Sequence, residues 1–141
     1  MSPLNILLVE DNPADAYLTT LALQDHEICK NLHVVEHGEQ ALAFLRQEGI
    51  FEEMFRPDLI ILDLNLPRMN GFAVLAAIKA DLSLRTIPVV ILSTSSAEQD
   101  LTQAYQLGAA YYFIKPNDLQ GCLMFGHTLA KVWRQLTSKA V

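Results

Sequence analysis

The sequence lacks the features that mark secreted proteins, membrane-spanning proteins and proteins with a structural metal site held by cysteines. Its only two cysteines, Cys29 and Cys122, lie far apart and match no metal-ligand spacing, which predicts reduced thiols. The amino terminus has no basic segment of the kind that opens a signal peptide, and no apolar run approaches the ~20 residues of a membrane span. We therefore expect a cytoplasmic protein that does not use a membrane.

Positive charge is also scarce. Ten Lys and Arg residues stand against sixteen Asp and Glu, the net charge is −6, and the basic residues are scattered without a run. An acidic chain of this kind repels phosphate backbones and anionic lipids. Nucleic acid is thus excluded as the expected main partner.

Motifs for bound nucleotides and for histidine metal sites are missing as well. The six glycines form neither a Gly-x-Gly-x-x-Gly pattern nor a P-loop, so dinucleotide and NTP binding lack support. The four histidines share no metal-ligand spacing; they are His26, His33, His37 and His127.

What the chain has in quantity is apolar residues, which make up 51% of the 141 residues, with 18% charged. This length and composition suit one compact domain with a single large core. We expect residues 1–141 to form one domain without a second, output domain.

Strand-like and helix-like segments alternate along the sequence. Short buried apolar runs predict strands at 4–9, 32–36, 59–63, 88–92 and 111–114, and 3.6-residue periodicity predicts helices at about 12–24, 39–48, 71–80, 97–107 and 118–137. The first helix is predicted to bury Ala14, Leu18 and Leu21. The third is predicted to place Val74, Leu75 and Ile78 inward, and residues 50–56 are expected to form an irregular, partly hydrophobic connection. Strands that alternate with helices need crossover connections, so the fold class is α/β with a five-stranded parallel sheet and five helices.

Acidic side chains follow two of the predicted strands. Glu10 and Asp11 come after the first strand, and Asp63 ends the third. Ligands of open parallel sheets bind beyond the carboxyl ends of the strands, so these carboxylates are expected to meet at a functional site. Neighbouring carboxylates repel each other, and a divalent cation, Mg²⁺ or Mn²⁺, relieves that repulsion.

Two further polar residues fall at strand ends, and together the set suits phosphoryl transfer to a carboxylate. Asp63 is the candidate nucleophile, and the backbone carbonyl of Asn65 could add a ligand to the metal held by the acidic cluster. Lys115 after the fifth strand would pair with one phosphoryl oxygen, and the Ser93 hydroxyl after the fourth would donate to another.

These motifs, taken as a spaced set, resemble the receiver domains of two-component response regulators over about residues 4–136. The segments that carry the resemblance are Leu-Leu-Val-Glu10-Asp11-Asn12, Leu-Asp63-Leu-Asn65-Leu-Pro67-Arg-Met-Asn-Gly71, Pro88-Val-Val-Ile-Leu-Ser93-Thr and Tyr112-Phe-Ile-Lys115-Pro116.

The resemblance implies a flavodoxin-like (CheY-like), doubly wound sheet of strand order 2-1-3-4-5. It also implies that a histidine kinase phosphorylates Asp63, with Mg²⁺ or Mn²⁺ bound. In the implied switch, Ser93 then moves toward the phosphoryl group and Tyr112 swings inward, which changes protein contacts. In this family the domain catalyses only its own phosphorylation and dephosphorylation. A cis peptide bond between Lys115 and Pro116 is expected too.

A narrower similarity points to the sensor. The chain resembles the stand-alone regulators paired with cyanobacterial phytochromes in three features. These are the sequence of residues 56–67, the longer segment 49–56 before it and the absence of an output domain. This similarity implies a light-regulated kinase as the partner.

Two functions of other classes stay open at the level of the sequence. A small phosphatase of the haloacid-dehalogenase type also uses an aspartate after a strand, although it generally needs an acid two residues later, where this chain has Asn65. A receiver-like interaction module would keep the fold without ever accepting phosphate.

The last predicted helix carries more apolar surface than one sheet face requires. Two adjacent stripes together cover about half of its circumference, against the ~100° that docking on a sheet needs. One stripe is Leu119, Leu123, Gly126, Ala130 and Trp133, and the other is Cys122, Phe125, Leu129, Val132 and Leu136. If the sheet buries one stripe, the other predicts a homodimer through this helix and the adjacent surface; a deep groove that buries both is the alternative.

Overall fold

The structure is a computed structural model that describes residues 4–25 and 28–138. His26 lies outside the described residues, and so does the side chain of Leu119. Within the described part, five strands alternate with five α-helices along the chain.

All five strands are parallel and form one sheet of order β2-β1-β3-β4-β5, as predicted. The strands are β1 (Leu4–Val9), β2 (Cys29–Val35), β3 (Leu59–Leu62), β4 (Val89–Ser93) and β5 (Tyr111–Ile114). The three central strands are almost wholly buried because their side chains are apolar on both faces. The edge strand β2 mixes apolar and polar residues and is partly exposed.

The helices connect successive strands and cover both faces of the sheet. They are α1 (Pro13–Asp25), α2 (Gly38–Leu45), α3 (Gly71–Ala80), α4 (Glu98–Gln106) and α5 (Leu119–Ser138), with a 3₁₀ turn, η1 (Gly49–Phe51), after α2. One face of the sheet packs against apolar residues of α2, α3 and α4, and the other packs against α1 and α5. No helix in the described ranges is both long enough and apolar enough to cross a membrane.

Two predicted details of the first elements are wrong. The strand β2 begins at Cys29 rather than at residue 32, because edge strands tolerate polar residues that resemble a loop in sequence. In α1, Ala14 is exposed, whereas Ala16 and Leu23 are buried. Of the other two predicted residues, Leu18 packs against the core and Leu21 is half-buried. Apolar residues occur on several sides of this helix, so periodicity alone identified its inward face only in part.

The segment after α2 is more ordered than the irregular connection that the sequence suggested. The turn η1 buries Phe51, whose ring lies 5.5 Å from that of Phe44 on α2. Phe55 packs on Phe44 at 5.3 Å, and His33 of β2 stacks on it at 4.8 Å. These four rings, the β2–α2 aromatic cluster, anchor the connection to the edge of the sheet.

The expected exposed stripe on α5 is largely buried. Phe125, Leu129 and Val132 are in the core, and of the other stripe Gly126 and Ala130 are buried too. The helix packs against α1 as well as the sheet, so two neighbours cover its broad apolar surface. The prediction that α5 leaves an apolar stripe for a second copy is therefore wrong in its choice of residues.

Candidate functional site

Three carboxylates meet at the carboxyl ends of β1 and β3. The parallel register pairs Val9 with Leu62, which places Glu10 and Asp63 side by side just beyond the two central strands. Oxygens of Glu10, Asp11 and Asp63 all lie within 4.8 Å of one another. Glu10 and Asp63 are 2% and 4% exposed, whereas Asp11 is open to solvent.

Lys115 brings a positive charge into this cluster from the end of β5. Its Nζ lies 2.6 Å from Glu10 Oε1, 3.0 Å from Asp63 Oδ2 and 3.0 Å from Asp15 Oδ2. Burial acts to lower the pKa of Lys115, but the hydrogen bonds to the three carboxylates raise it above its usual value. The ammonium therefore stays charged next to the candidate phosphoacceptor.

Glu10 is the most strongly perturbed acid of the cluster. Burial raises the pKa of Glu10 to about 7 against the lowering effect of its hydrogen bond to Lys115, and the charge of Asp63 adds to the rise. Two buried carboxylates this close favour a bound cation, because a cation stabilises both in their charged forms.

Asp15 is a contact that the sequence analysis missed. It lies in the first turn of α1 and reaches Lys115 from the side of the helix. Asp11 precedes α1, so the four-residue spacing to Asp15 does not place the two on one helical face. The sequence showed only an isolated acid in a predicted first helical turn, which is ordinary and does not by itself indicate a site.

Gly71 allows helix α3 to begin directly against the backbone at the end of β3. A Cβ atom at this position would lie 2.4 Å from the backbone oxygen of Asp63 and 2.6 Å from the Cα of Leu64. The Gly71 N–H instead donates to the Leu64 carbonyl at 2.9 Å. On the other side, the Asn65 N–H donates to Asp63 Oδ1 at 3.2 Å, so backbone groups fix the orientation of the aspartate.

Ser93 and Tyr112 are joined to each other through Ser95. The buried Ser93 Oγ accepts the Ser95 N–H at 3.2 Å, and the Tyr112 hydroxyl donates to the Ser95 carbonyl at 2.9 Å. Tyr112 is 7% exposed, so its ring lies in the inward position that was expected of a switched tyrosine. Ser93 is also next to Lys115, because the backbone N–H of Lys115 donates to the backbone carbonyl of Ser93 at 2.7 Å.

The peptide bond between Lys115 and Pro116 is trans, and no cis peptide bond occurs in the described ranges. The expected cis bond is therefore not found. The free-energy difference between the isomers of an X-Pro bond is only about 0.5–1 kcal/mol, so local sequence does not decide between them.

The structure thus brings together Glu10, Asp11, Asp63 and Lys115, as predicted from the strand ends. The carboxylate oxygens match the hard ligands that Mg²⁺ and Mn²⁺ prefer, and the exposed Asp11 leaves the cluster open to solvent on one side. The donor set therefore fits a divalent cation. A nucleophilic carboxylate beside a cation site and a fixed ammonium is the arrangement that phosphoryl transfer requires.

Comparisons with known proteins agree with this geometry. Residues 6–123 match the family model of the response regulator receiver domain. The chain is 40% identical to the response regulator Rcp1 of Synechocystis sp. over 131 residues, which is 93% of this chain and 89% of Rcp1.

Solved structures give the same result. The phosphorylated cyanobacterial phytochrome response regulator RcpA superimposes with a TM-score of 0.87 at 42% identity, covering 94% of both chains. The Mn²⁺-bound form of Rcp1 gives 0.85 at 40% identity, over 93% of this chain and 94% of that one. On its sequence, its fold and the acidic cluster at the end of its central strands, the chain belongs to the family of response regulator receiver domains.

Proposed function

We propose that this chain is a phosphoacceptor of a two-component system, in which a histidine kinase transfers a phosphoryl group to Asp63. One observation carries the proposal. The Asp63 carboxylate is buried at the end of a central strand, 3.0 Å from the Lys115 ammonium and within 4.8 Å of two further carboxylates.

In the proposed step, an oxygen of Asp63 attacks the phosphorus of a phosphohistidine on the kinase. The new P–O bond forms as the P–N bond breaks, and the electron pair leaves on the imidazole nitrogen, which the kinase histidine retains. Lys115 offsets the negative charge of the transferred group, and Ser93 offers its hydroxyl proton to a phosphoryl oxygen.

A divalent cation would supply charge neutralisation at the phosphoryl oxygens. Glu10, Asp11, Asp63 and the backbone carbonyl of Asn65 are the groups that would hold it, and Mg²⁺ or Mn²⁺ suits those oxygens. Rcp1, solved in a Mn²⁺-bound form, supports the choice of metal.

A phytochrome-type kinase is the proposed phosphodonor. The support is the 40–42% identity to Rcp1 and RcpA across more than 90% of this chain. We further propose that the protein works in the cytoplasm through protein contacts and a homodimer. Its net charge of −6 supports protein rather than nucleic acid as the partner.

The direct test is labelling with a small phosphodonor and Mg²⁺, followed by mass spectrometry of the intact protein. Wild-type protein should gain one base-labile phosphoryl group, and Asp63→Asn should gain none. Asp58→Asn is the matched control, because Asp58 precedes the same strand at its opposite end. Labelling of Asp63→Asn at the wild-type level would refute the assignment.

The same experiment separates the two alternative functions. A phosphatase of the haloacid-dehalogenase type would turn over added phosphate esters continuously, whereas an interaction module would take no label. Transfer from a phytochrome-type kinase, compared in red light and darkness, would then test the proposed partner.

A further inference from the structure

The loop between β4 and α4 is held by hydrogen bonds to every polar group of one residue, Ser95. Its N–H donates to Ser93 Oγ at 3.2 Å, and its carbonyl accepts from the Tyr112 hydroxyl at 2.9 Å. Its own hydroxyl donates to Asp100 Oδ2 at 2.6 Å and accepts the Ala97 N–H at 3.2 Å. Ser95 therefore joins the candidate phosphoryl-binding serine to the switch tyrosine and to helix α4.

The bond to Asp100 is the strongest of this set on physical grounds. It is a hydroxyl–carboxylate bond, the charge-assisted class that is shorter and about twice as strong as a neutral bond. Asp100 is half-buried in the first turn of α4, so the helix N-terminus also favours its negative charge. This bond fixes where Ser95 lies, and with it the other three.

The orientation of the Ser93 hydroxyl follows from that position. Because Ser93 Oγ accepts the Ser95 N–H, its own proton is directed elsewhere and is available to an acceptor. We infer that Asp100 is a positioning residue, which holds Ser95 so that the Ser93 hydroxyl is ready to donate to the phosphoryl group on Asp63. This inference rests on the proposed function and adds a residue on α4 that contacts neither the metal ligands nor Asp63 in the bonds described.

Helix α4 takes part in this network through two of its residues. The hydroxyl of Tyr105, near the end of α4, accepts the N–H of Tyr112 at 3.0 Å, so one helix bonds to the loop through Asp100 and to β5 through Tyr105. A change in the position of Ser93 is thereby passed to α4 through hydrogen bonds rather than through packing alone.

The test measures the rate at which a small phosphodonor labels Asp63 in the presence of saturating Mg²⁺. Asp100→Ala should be labelled about threefold to tenfold more slowly, the range that corresponds to the net loss of one ordinary hydrogen bond. Asp100→Asn should recover most of the rate, because the amide oxygen still accepts the Ser95 hydroxyl. This recovery would show that the acceptor atom of residue 100, and not its charge, governs the rate.

Glu98→Gln is the matched control. Glu98 is an exposed acid in the same turn of α4, so this variant loses the same charge near the helix N-terminus while leaving Ser95 bonded. A second measurement uses Ser95→Ala, in which the Asp100→Ala change should have no further effect on the rate. Mg²⁺ affinity equal to wild type shows that each variant is folded with its metal site intact.

The outcomes are distinct. If wild-type protein takes no label, the proposed function fails and the inference with it. If wild-type protein is labelled but Asp100→Ala and Glu98→Gln react equally fast, the inference alone is overturned. Additive effects of Asp100→Ala and Ser95→Ala would also overturn it, because the two residues would then act separately.

Discussion

At the scale of single residues, Asp11 differs from the other two acids of the cluster. Glu10 and Asp63 are buried and contact Lys115, whereas Asp11 is exposed and is the acid best placed to take an ion from solvent. We predict that Asp11→Ala weakens Mg²⁺ binding at least about tenfold, or ~1.4 kcal/mol, and stops phosphorylation. Calorimetric titration with Mg²⁺ measures the effect.

The control for this prediction is Glu36→Gln, an exposed acid that follows β2 at the same edge of the sheet but is not among the three clustered acids. Its Mg²⁺ affinity should stay near the wild-type value. Removing one of three neighbouring negative charges should also raise the melting temperature of Asp11→Ala in the presence of a chelator. Normal Mg²⁺ binding by Asp11→Ala would place the cation elsewhere.

Lys115 should not be replaceable by arginine. Its single nitrogen lies 2.6–3.0 Å from oxygens of Glu10, Asp15 and Asp63, a convergence that suits a compact ammonium and not a planar guanidinium. We expect Lys115→Arg to be phosphorylated without the change in partner affinity that wild-type protein shows. Kinase binding before and after labelling measures this, with the exposed Lys131→Arg as control; an unaltered response of Lys115→Arg would contradict the prediction.

Ser93→Ala is expected to behave in the same way, for a different reason. It keeps the backbone bond to Lys115 but loses the hydroxyl that accepts the Ser95 N–H, and Ser95 is the residue to which the Tyr112 hydroxyl is bonded. If phosphorylation changed the partner affinity of Ser93→Ala as much as that of wild type, Ser93 would carry no signal.

These residues also show what sequence predicts well. Glu10, Asp11, Asp63 and Lys115 were identifiable because each follows a short apolar strand, and the carboxyl ends of parallel strands lie at the same edge of a sheet. Asp15, like Asp100, lies in a helix, where its contact depends on the rotation and tilt of that helix against the sheet. Such contacts are set by tertiary packing, so spacing along the chain did not predict them.

At the scale of elements, the β2–α2 aromatic cluster gives a pH-dependent contribution to stability. Burial lowers the pKa of His33, which stacks on Phe44 and contacts the edge of Phe51 at 5.8 Å. Since the folded pKa lies below the unfolded value of ~6.5, the neutral ring stabilises the fold at higher pH. This stabilisation is lost as the pH falls from the unfolded pKa through the folded pKa.

We therefore predict that His33→Phe, which keeps an aromatic ring in the stack, loses less stability than wild type between pH 7 and pH 5. Urea unfolding at the two pH values gives the comparison, and the difference between the proteins isolates His33 from the carboxylates that they share. Equal losses in both proteins would show that the ring does not titrate against folding.

Elements differed in how far the sequence determined them. The boundaries of β5 and the inward residues of α3, Val74, Leu75 and Ile78, were predicted correctly, because these short apolar patterns leave one solution. In α1, Leu18 packs against the core as predicted, but Ala14 is exposed. In α5 the predicted apolar residues largely face the core, but the helix packs against α1 as well as against the sheet, which was not predicted. Both helices carry more apolar residues than a contact with the sheet alone would bury. The packing of α1 against α5 accounts for the additional ones.

At the scale of the whole molecule, that packing changes where self-association is expected. Phe125 lies 4.9 Å from Phe113 in an edge-to-face contact and is 6% exposed, so it is a core residue and not a surface residue. Among the described residues of this region, the most exposed apolar side chains are Ile114, at the end of β5, and Met124, in the second turn of α5, at 53% and 60% exposed. Tyr111, at the start of β5, is 38% exposed.

If copies of this chain associate through the side formed by β5 and α5, the interface should bury the side chains of Ile114 and Met124. We predict that Ile114→Glu combined with Met124→Glu yields monomers with unchanged unfolding, because exposed residues contribute little to the core. Phe125→Glu should instead destabilise the fold by about 3–5 kcal/mol, the range for removing a buried aromatic side chain. Sedimentation and urea unfolding of the variants separate the two effects.

The symmetric dimer is the simplest assembly in which identical chains would cover these two exposed side chains. The Tyr112 hydroxyl is bonded to Ser95, in the loop that follows Ser93, and Ser95 is bonded to Ser93. We therefore expect phosphorylation at Asp63 to shift the association equilibrium. Sedimentation of wild-type protein at tens of micromolar, before and after labelling, measures that shift. Monomers alone in both states would refute self-association, and a dimer that persists in the doubly substituted variant would place its interface on another face.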